Sequence, residues 1–453
     1  MTYSSDDLAQ LRRVPVEDVL LPVLVQLLVI IVTALVVSRL FRWLGQSGVI
    51  GEIAAGLLLG PSALGQIEWV QSIFQPALSH VAPEMAAPVF HWILTMFSQV
   101  GLILLLFQIG LEFDFHHLQG SGRAALTLSL SGIAVPFGAG VLVAPLLLAH
   151  PGVGTTPSHW NFALFLGTAL SITAMPVLGR LLIEMKLHRT RLGTLAITSA
   201  AVNDALGWIL LATIAALARS RGAEGSHAGS ALWLLLETFA FTLGMIFVVR
   251  PIFLYWAQRV QKEGHLPTSA VGFVVASILA CAILTNCIGI SAIFGAFLLG
   301  AVLSGNEPLR TAISEKMRDF TVSFFLPIFF TYTGLRTRVQ SLDSPEQWAL
   351  CGVVILAAIV GKIVPCALAA RFGGFTWRPA LALGALMNTR GLMELIVINV
   401  GRDLGVIPDS VYAMLVLMAL VTTVMTTPLV TRLLRGEACA DDTGAAQGPE
   451  PTA

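Results

Sequence analysis

The chain has 453 residues, of which 56% are hydrophobic and 11% charged, with Lys plus Arg and Asp plus Glu balanced at 26 each. An ordinary soluble domain is about 25% charged, so this is the composition of a polytopic membrane protein, and its zero net charge gives nucleic acid no footing. The five cysteines, Cys281, Cys287, Cys351, Cys366 and Cys439, show neither metal-site spacing nor a paired framework, and no cofactor is implied.

A short polar segment, residues 1–19, with Asp6, Asp7, Glu17 and Asp18, precedes the first apolar run. That run is too long for a signal-peptide core and reads as a retained first span. Apolar stretches of spanning length then predict an all-α fold of about thirteen transmembrane helices. The first six run near 20–38, 47–65, 93–112, 124–149, 161–185 and 192–218. The other seven run near 231–256, 268–288, 290–304, 318–335, 347–371, 379–402 and 409–434. The ninth is short, and a tight turn around Gly289 separates it from the eighth. Residues 436–453, with Asp441, Asp442, Pro449 and Pro451, have too little apolar content to fold and are expected to be disordered.

Basic residues orient the spans, because Lys and Arg collect in cytoplasmic loops. One face holds seven: Arg12, Arg13, Arg219, Arg221, Arg336, Arg338 and Arg402. The other holds sixteen, from Arg39 and Arg42 to Arg432 and Arg435. The N terminus is therefore expected outside and the C terminus in the cytoplasm, in a bacterial inner membrane. Arg180, Lys362 and Arg390 are left inside spans.

The sequence also echoes itself. Ile50 to Gly56 (IGEIAAG) on the second span matches Phe294 to Gly300 (FGAFLLG) on the ninth. The third span ends Ile109-Gly110-Leu111 where the tenth ends Thr333-Gly334-Leu335. Each match is seven spans apart, an odd number, so the copies are inverted relative to each other, which is the plan of secondary transporters. Two six-helix repeats, spans 1–6 and 8–13, then flank a connector helix at about 231–256. Such folds bind substrate at mid-membrane, where a helix of each half is broken. The fifth span carries Ser171 to Pro176 (SITAMP) at its middle and the twelfth carries Asn388 to Gly391 (NTRG). Pro176 removes a backbone donor and Gly391 tolerates irregular dihedrals.

Asp204, next to Asn203, lies mid-way along the sixth span beside this crossing. An acid at the bilayer centre costs roughly 2.5 to 3.5 kcal/mol on insertion scales and is functional by default. Desolvation favours its protonated form and nearby cationic charge its carboxylate, so a proton and a hard cation can compete for the same oxygens. Oxygens of the broken fifth span, with Thr173 foremost, suit Na⁺ or K⁺. Lys362 is either a structural salt-bridge partner or a titrating group. Arg390 and Glu394, one helical turn apart, are expected to pair and hold the twelfth helix together. Glu52 and Glu112 are less informative, and Arg180 is close enough to the cytoplasmic face to snorkel.

No span holds a Ser/His, paired-Asp or His-Glu-x-x-His constellation, which argues against an intramembrane enzyme. A channel gives no reason for two broken helices around one titratable acid. The nearest alternative is a sodium-coupled symporter of a small organic anion, with Arg390 facing the substrate carboxylate.

Residues 20–435 resemble the monovalent cation:proton antiporter-2 family, which includes bacterial sodium or potassium/proton exchangers, potassium efflux systems and plant cation/proton exchangers. The resemblance is most specific at Ala196 to Trp208 (AITSAAVNDALGW), Phe294 to Phe297 (FGAF) and Asn388 to Gly401 (NTRGLMELIVINVG). It implies that Asp204 alternately holds a proton or a cation, that Thr173 lies in the unwound crossing, and that Lys362 is the basic residue of the adjacent core helix. It also implies a homodimer, with a moving core at about 122–218 and 346–434 and dimerisation helices at about 20–112 and 268–335. Three positions depart from the family's pattern. Asn203 stands where charge-moving relatives have a second aspartate, and Asn286 stands where relatives often carry an acid before Gly289 and Ser291. The potassium efflux branch has a C-terminal nucleotide-binding domain with no counterpart in this sequence.

Overall fold

Helix is the only extended regular structure among the described residues of the computed structural model, which are 15–74, 76, 83–112, 123–154, 156, 158–185, 187, 190–220, 236–237, 239–261, 268–289 and 291–434. The tail at 436–453 and most of the N-terminal segment lie outside them.

The first described helix, α1 (Val16–Trp43), starts after Pro15, with Glu17 and Asp18 in the first turn and Arg42 in the last, each sign matching the helix dipole. α2 (Gly48–Leu59), the short α3 (Glu68–Phe74) and α4 (Pro83–Glu112) follow. Next come α5 (Arg123–Leu148), the half-helices α6 (His159–Ser171) and α7 (Met175–Glu184), and α8 (Arg191–Ser220). The connector is helical from 239, runs through a wide π-turn at Met245–Val249, and ends as α9 (Arg250–Gln261). The second half has α10 (Thr268–Ile288), α11 (Ala292–Leu303), α12 (Glu307–Phe320), α13 (Leu326–Leu335), α14 (Pro345–Phe372), α15 (Trp377–Met387), α16 (Leu392–Asp403) and α17 (Asp409–Leu434). Side-chain caps fix three starts: Ser158, Asn306 and Ser344 accept from Asn161, Leu309 and Gln347 backbone N–H groups. Gly289 takes φ 95°, the left-handed turn expected between α10 and α11.

Helix is found in every one of the thirteen predicted segments, but among the described residues nine helices are long and apolar enough to cross a membrane singly, or ten if the bent pair α15–α16 is one span. The difference has physical causes. α11 is short, α6 and α7 are halves, and the tenth segment begins earlier than expected because the charged α12 continues through a π-turn at Thr321–Phe325 into α13. Gln108 of α4 donates to the Thr321 hydroxyl at 3.0 Å and so holds that wide turn.

The helices pack into two bundles. In one, α5 lies against α6, α8 and α14, and α14 against α15 and α17; in the other, α2 lies against α1 and α13, and α11 against α4 and α10. We call these the core and the scaffold. The echoing glycines occupy matching crossings of the scaffold. Gly51 faces the backbone of α1 at Ser38, and Gly295 faces the backbone of α10 at Cys281. Gly56 and Gly334 face each other's helices at Thr331 and Ile53, as Gly300 and Gly110 do at Phe107 and Phe297. A side chain at any of these would collide with backbone, so the span-2 element of each repeat locks onto the span-3 element of the other. Gly300→Val should therefore splay α11 from α4 and lower stability by about 1–3 kcal/mol, read as a lower melting temperature of purified protein. An unchanged melting temperature would rule out the tight crossing.

Candidate ion-binding site

Two core helices stop at mid-depth. α6 ends at Ser171 and α7 starts at Met175, while α15 ends at Met387 and α16 starts at Leu392 after a 41° bend. Pro176 occupies the second position of α7, where its missing N–H costs nothing. Gly391 caps α16, and a Cβ there would lie 2.9 Å from Val177. The two extended links cross and bond: Ala174 N–H donates to Thr389 O at 3.0 Å, and the Thr173 hydroxyl donates to Met387 O at 2.8 Å.

Four half-helix ends thus meet where no bulk water can satisfy their free carbonyl and amide groups, and side chains must do so. At the carboxyl end of α6, Arg390 donates to Ala169 O and Leu170 O, each at 2.7 Å. Lys362 donates to Ser171 O and, at 2.6 Å, to Gly132 O of α5. Two cations therefore sit on the negative end of that half-helix. From side chains the carboxyl end of α15 receives hydroxyls: Thr389 on Leu386 O at 2.7 Å, Thr426 on Ala385 O at 3.3 Å, and Thr173 on Met387 O.

Asp204 meets the amide end of α7. Its carboxylate accepts from the Met175 backbone N–H, and its Oδ1 has no partner. The side chain is 2% exposed. Neighbouring Asn203 donates Nδ2 to the Thr173 hydroxyl at 3.2 Å and leaves its own Oδ1 unpartnered. Thr173 donates one proton and accepts one, which leaves a lone pair on its oxygen. Glu394, in the first turn of α16, pairs with Arg390 at 3.2 Å, both fully buried, as the one-turn spacing predicts. Lys362 makes its hydrogen bonds to carbonyls and lies within Coulombic reach of Asp204, Glu394 and Arg390. Two acids and two bases balance formally when all are ionised.

The six residues singled out in the sequence, Asp204, Asn203, Thr173, Lys362, Arg390 and Glu394, converge on the crossing. Glu52 lies on α2 of the scaffold. The side chains of Glu112 and Arg180 lie outside the described residues. Gly132, the Met175 amide and Thr389 were not anticipated. Gly132 had a signal in retrospect, a small residue on an apolar helix: a Cβ there would sit 2.9 Å from Cys366 Sγ, 3.6 Å from Asn203 Nδ2 and 3.9 Å from Lys362 Nζ. A cavity of about 10 Å³, bordered by Gln46, Ser47, Val177, Leu181, Thr389, Thr423 and Thr427, reaches the crossing from the face on which α1 ends. About one water fits such a volume.

If Lys362 is structural, Lys362→Gln should lower stability by about 1–3 kcal/mol through its abandoned carbonyls and leave measurable ion exchange. Loss of exchange, or a changed pH profile, would show instead that Lys362 carries a proton.

Broken helices crossing at mid-depth around a buried acid, on two interlocked half-repeats, define a secondary transporter fold. A solved structure shares it: the sodium proton antiporter MjNhaP1 of Methanocaldococcus jannaschii matches 92% of this chain and 98% of its own with a TM-score of 0.60 at 15% identity. The chain belongs to the sodium/hydrogen exchanger family, whose transmembrane model matches residues 29–436. The Na(+)/H(+) antiporter NhaS4 of Synechocystis sp. is 39% identical over 417 residues, 92% of this chain and 98% of the relative. The Cation/H(+) antiporter 17 of Arabidopsis thaliana is 38% identical over 417 residues, but these are 49% of its length. The chain thus spans about half the length of its curated plant relatives and nearly all of the cyanobacterial one. These relatives are named as transporters, not enzymes.

Proposed function

We propose that this protein exchanges a monovalent cation, Na⁺ or K⁺, for protons by alternating access, with Asp204 as the shared site. One observation carries the reading: the Asp204 carboxylate, buried at the amide end of a broken helix, keeps one oxygen unpartnered within Coulombic reach of Lys362. A proton satisfies that oxygen by making it a donor, and a dehydrated cation satisfies it by direct ligation. The Asn203 carbonyl and the free lone pair of Thr173 complete an oxygen set suited to a hard monovalent ion. Because both ions compete for one acid, the apparent KM for the cation should rise as pH falls. The core, at about 122–218 and 346–434, moves against helices at about 20–112 and 268–335, which form the homodimer contact. The C terminus lies in the cytoplasm.

The symporter alternative requires an Arg390 free to meet a carboxylate substrate. Its guanidinium is instead committed to Ala169 O, Leu170 O and Glu394, which favours the exchanger. Reconstitution in liposomes with a pH-sensitive dye decides between them. Li⁺, Na⁺, K⁺ or Rb⁺ should move protons with no organic solute present, and a requirement for an organic anion would overturn the proposal.

Stoichiometry follows from Asn203, which cannot ionise. One proton displaced by one cation leaves the site's charge unchanged in each half-cycle, provided Lys362 keeps its proton. An electroneutral cycle does not feel voltage, which otherwise acts at about 2.3 kcal/mol per charge per 100 mV. A potassium-diffusion potential set with valinomycin should leave the rate of Na⁺-loaded liposomes unaltered; acceleration by either polarity would bring in a second titrating group.

A further inference from the structure

The boundary between core and scaffold differs at its two ends. On the face where α14 starts and α16 ends, both bundles contribute to a ladder of polar contacts. At the rim Arg336, directly after α13, pairs through Nη2 with Asp403 Oδ1 of α16 at 2.8 Å. Arg402 of α16 donates to Arg336 O at 3.0 Å, and is itself steadied by Asp409 at 2.8 Å and by the Tyr412 ring, 4.5 Å away. Deeper and out of water, Asn399 Nδ2 of α16 donates to Thr333 Oγ1 of α13 at 3.2 Å. The Tyr412 hydroxyl lies 3.2 Å from Thr333 O and 3.1 Å from Asn399 Oδ1 and shares its proton between them. Asn399 is seven residues from the start of α16, so this layer stands about 10 Å from the crossing.

α8 runs toward the same face, because its start is tied to Gly373 at the far end of α14 by Arg191. Trp208, one turn beyond Asp204 in that direction, stacks on Phe297 of the scaffold with centroids 4.9 Å apart and planes at 25°. Every rung thus joins core to scaffold between Asp204 and one surface. On the opposite face lies the cavity that reaches Thr389.

The nature of these contacts matters as much as their position. The glycine crossings that bring backbone onto backbone all lie within one bundle, among the described residues. Across the boundary the rungs are built largely from side chains, which can separate and pair with water. A hydrogen-bonded seal exchanges its partners for water at a net cost of only about 0.5–1.5 kcal/mol per bond. Buried apolar side chains, Trp208 and Phe297 among them, also bridge the boundary and add to the cost of opening it.

We propose, resting on the exchange reading above, that Arg336–Asp403 and Asn399–Thr333–Tyr412 form a two-layer clasp that closes the ion path on this face and parts once in every transport cycle. The charge bias of the loops makes this the outer face.

Cross-linking tests it in full-length protein with Cys287 and Cys439 replaced by serine. Thr333→Cys with Asn399→Cys should, once oxidised, lose exchange at least tenfold in liposomes, and a reductant should restore it. Arg336→Cys with Asp403→Cys, bridged by a short bis-thiosulfonate, is the second pair and answers alone if the buried pair does not fold. Each variant is compared with its own reduced form. Full cross-linking by mass spectrometry with an unchanged exchange rate in a folded pair would overturn the clasp. Wild-type protein that exchanges no cation for protons would instead defeat the reading beneath it.

Discussion

Asp204→Asn should yield a folded, membrane-inserted protein whose cation-dependent proton movement falls to background. Asparagine keeps the oxygen that accepts from Met175, so the α7 end stays capped and the crossing keeps its shape. What disappears is the ability to bind and release a proton, and with it the negative charge that a dehydrated cation needs. The neighbouring Asn203 cannot substitute, and Glu394 is held by Arg390. Dye-reported exchange over the whole cation panel, with oligomeric state and melting temperature as fold controls, is the measurement. Half or more of wild-type exchange in the variant would remove Asp204 from the central role.

Arg390→Gln should be among the most destabilising single changes in the chain. The guanidinium satisfies two carbonyls at the end of α6 and the Glu394 carboxylate, and all of this is buried. Breaking a buried ion pair by removing one partner costs about 3–5 kcal/mol, because the other charge is left uncompensated. Replacing Glu394 as well should recover part of the loss, since the orphaned charge goes with it, while the abandoned carbonyls remain. Thermal unfolding of the two single variants and the double variant in detergent closes the cycle. Additive losses would mean that the pair contributes no coupling.

Much of the site was legible because charge within an apolar run is costly and therefore conspicuous. Asp204, Lys362, Arg390 and Glu394 stand out on that ground alone, and the one-turn spacing of Arg390 and Glu394 carried their pairing. Thr173 followed from the break that Pro176 marks. The partners of the two cations were not legible, because Ala169, Leu170, Ser171 and Gly132 take part through backbone carbonyls that every residue possesses. The clasp was hidden for a different reason. Arg336, Arg402 and Asp403 lie at helix ends, where charge is normal, and nothing local says that they meet across 66 or 67 positions of chain. Span number suffered from the same blindness: hydropathy registers apolar length, so half-helices and the charged α12 blur it. The inverted glycine echo, by contrast, was informative because a Cβ-free crossing leaves its mark in the residue itself.

Those interlocked crossings carry a mechanical consequence for the surrounding lipid. With α2 seated backbone-to-backbone on α13, and α11 on α4, the scaffold has little freedom to tilt or stretch when the bilayer thins or thickens. Mismatch costs fractions of a kcal/mol per Å. Such a cost falls on the element that can yield, which is the core, held across its boundary mainly by side chains. If the core moves as proposed, acyl-chain length acts as a load on its displacement, and the membrane's thickness enters the transport rate through the position at which the core comes to rest.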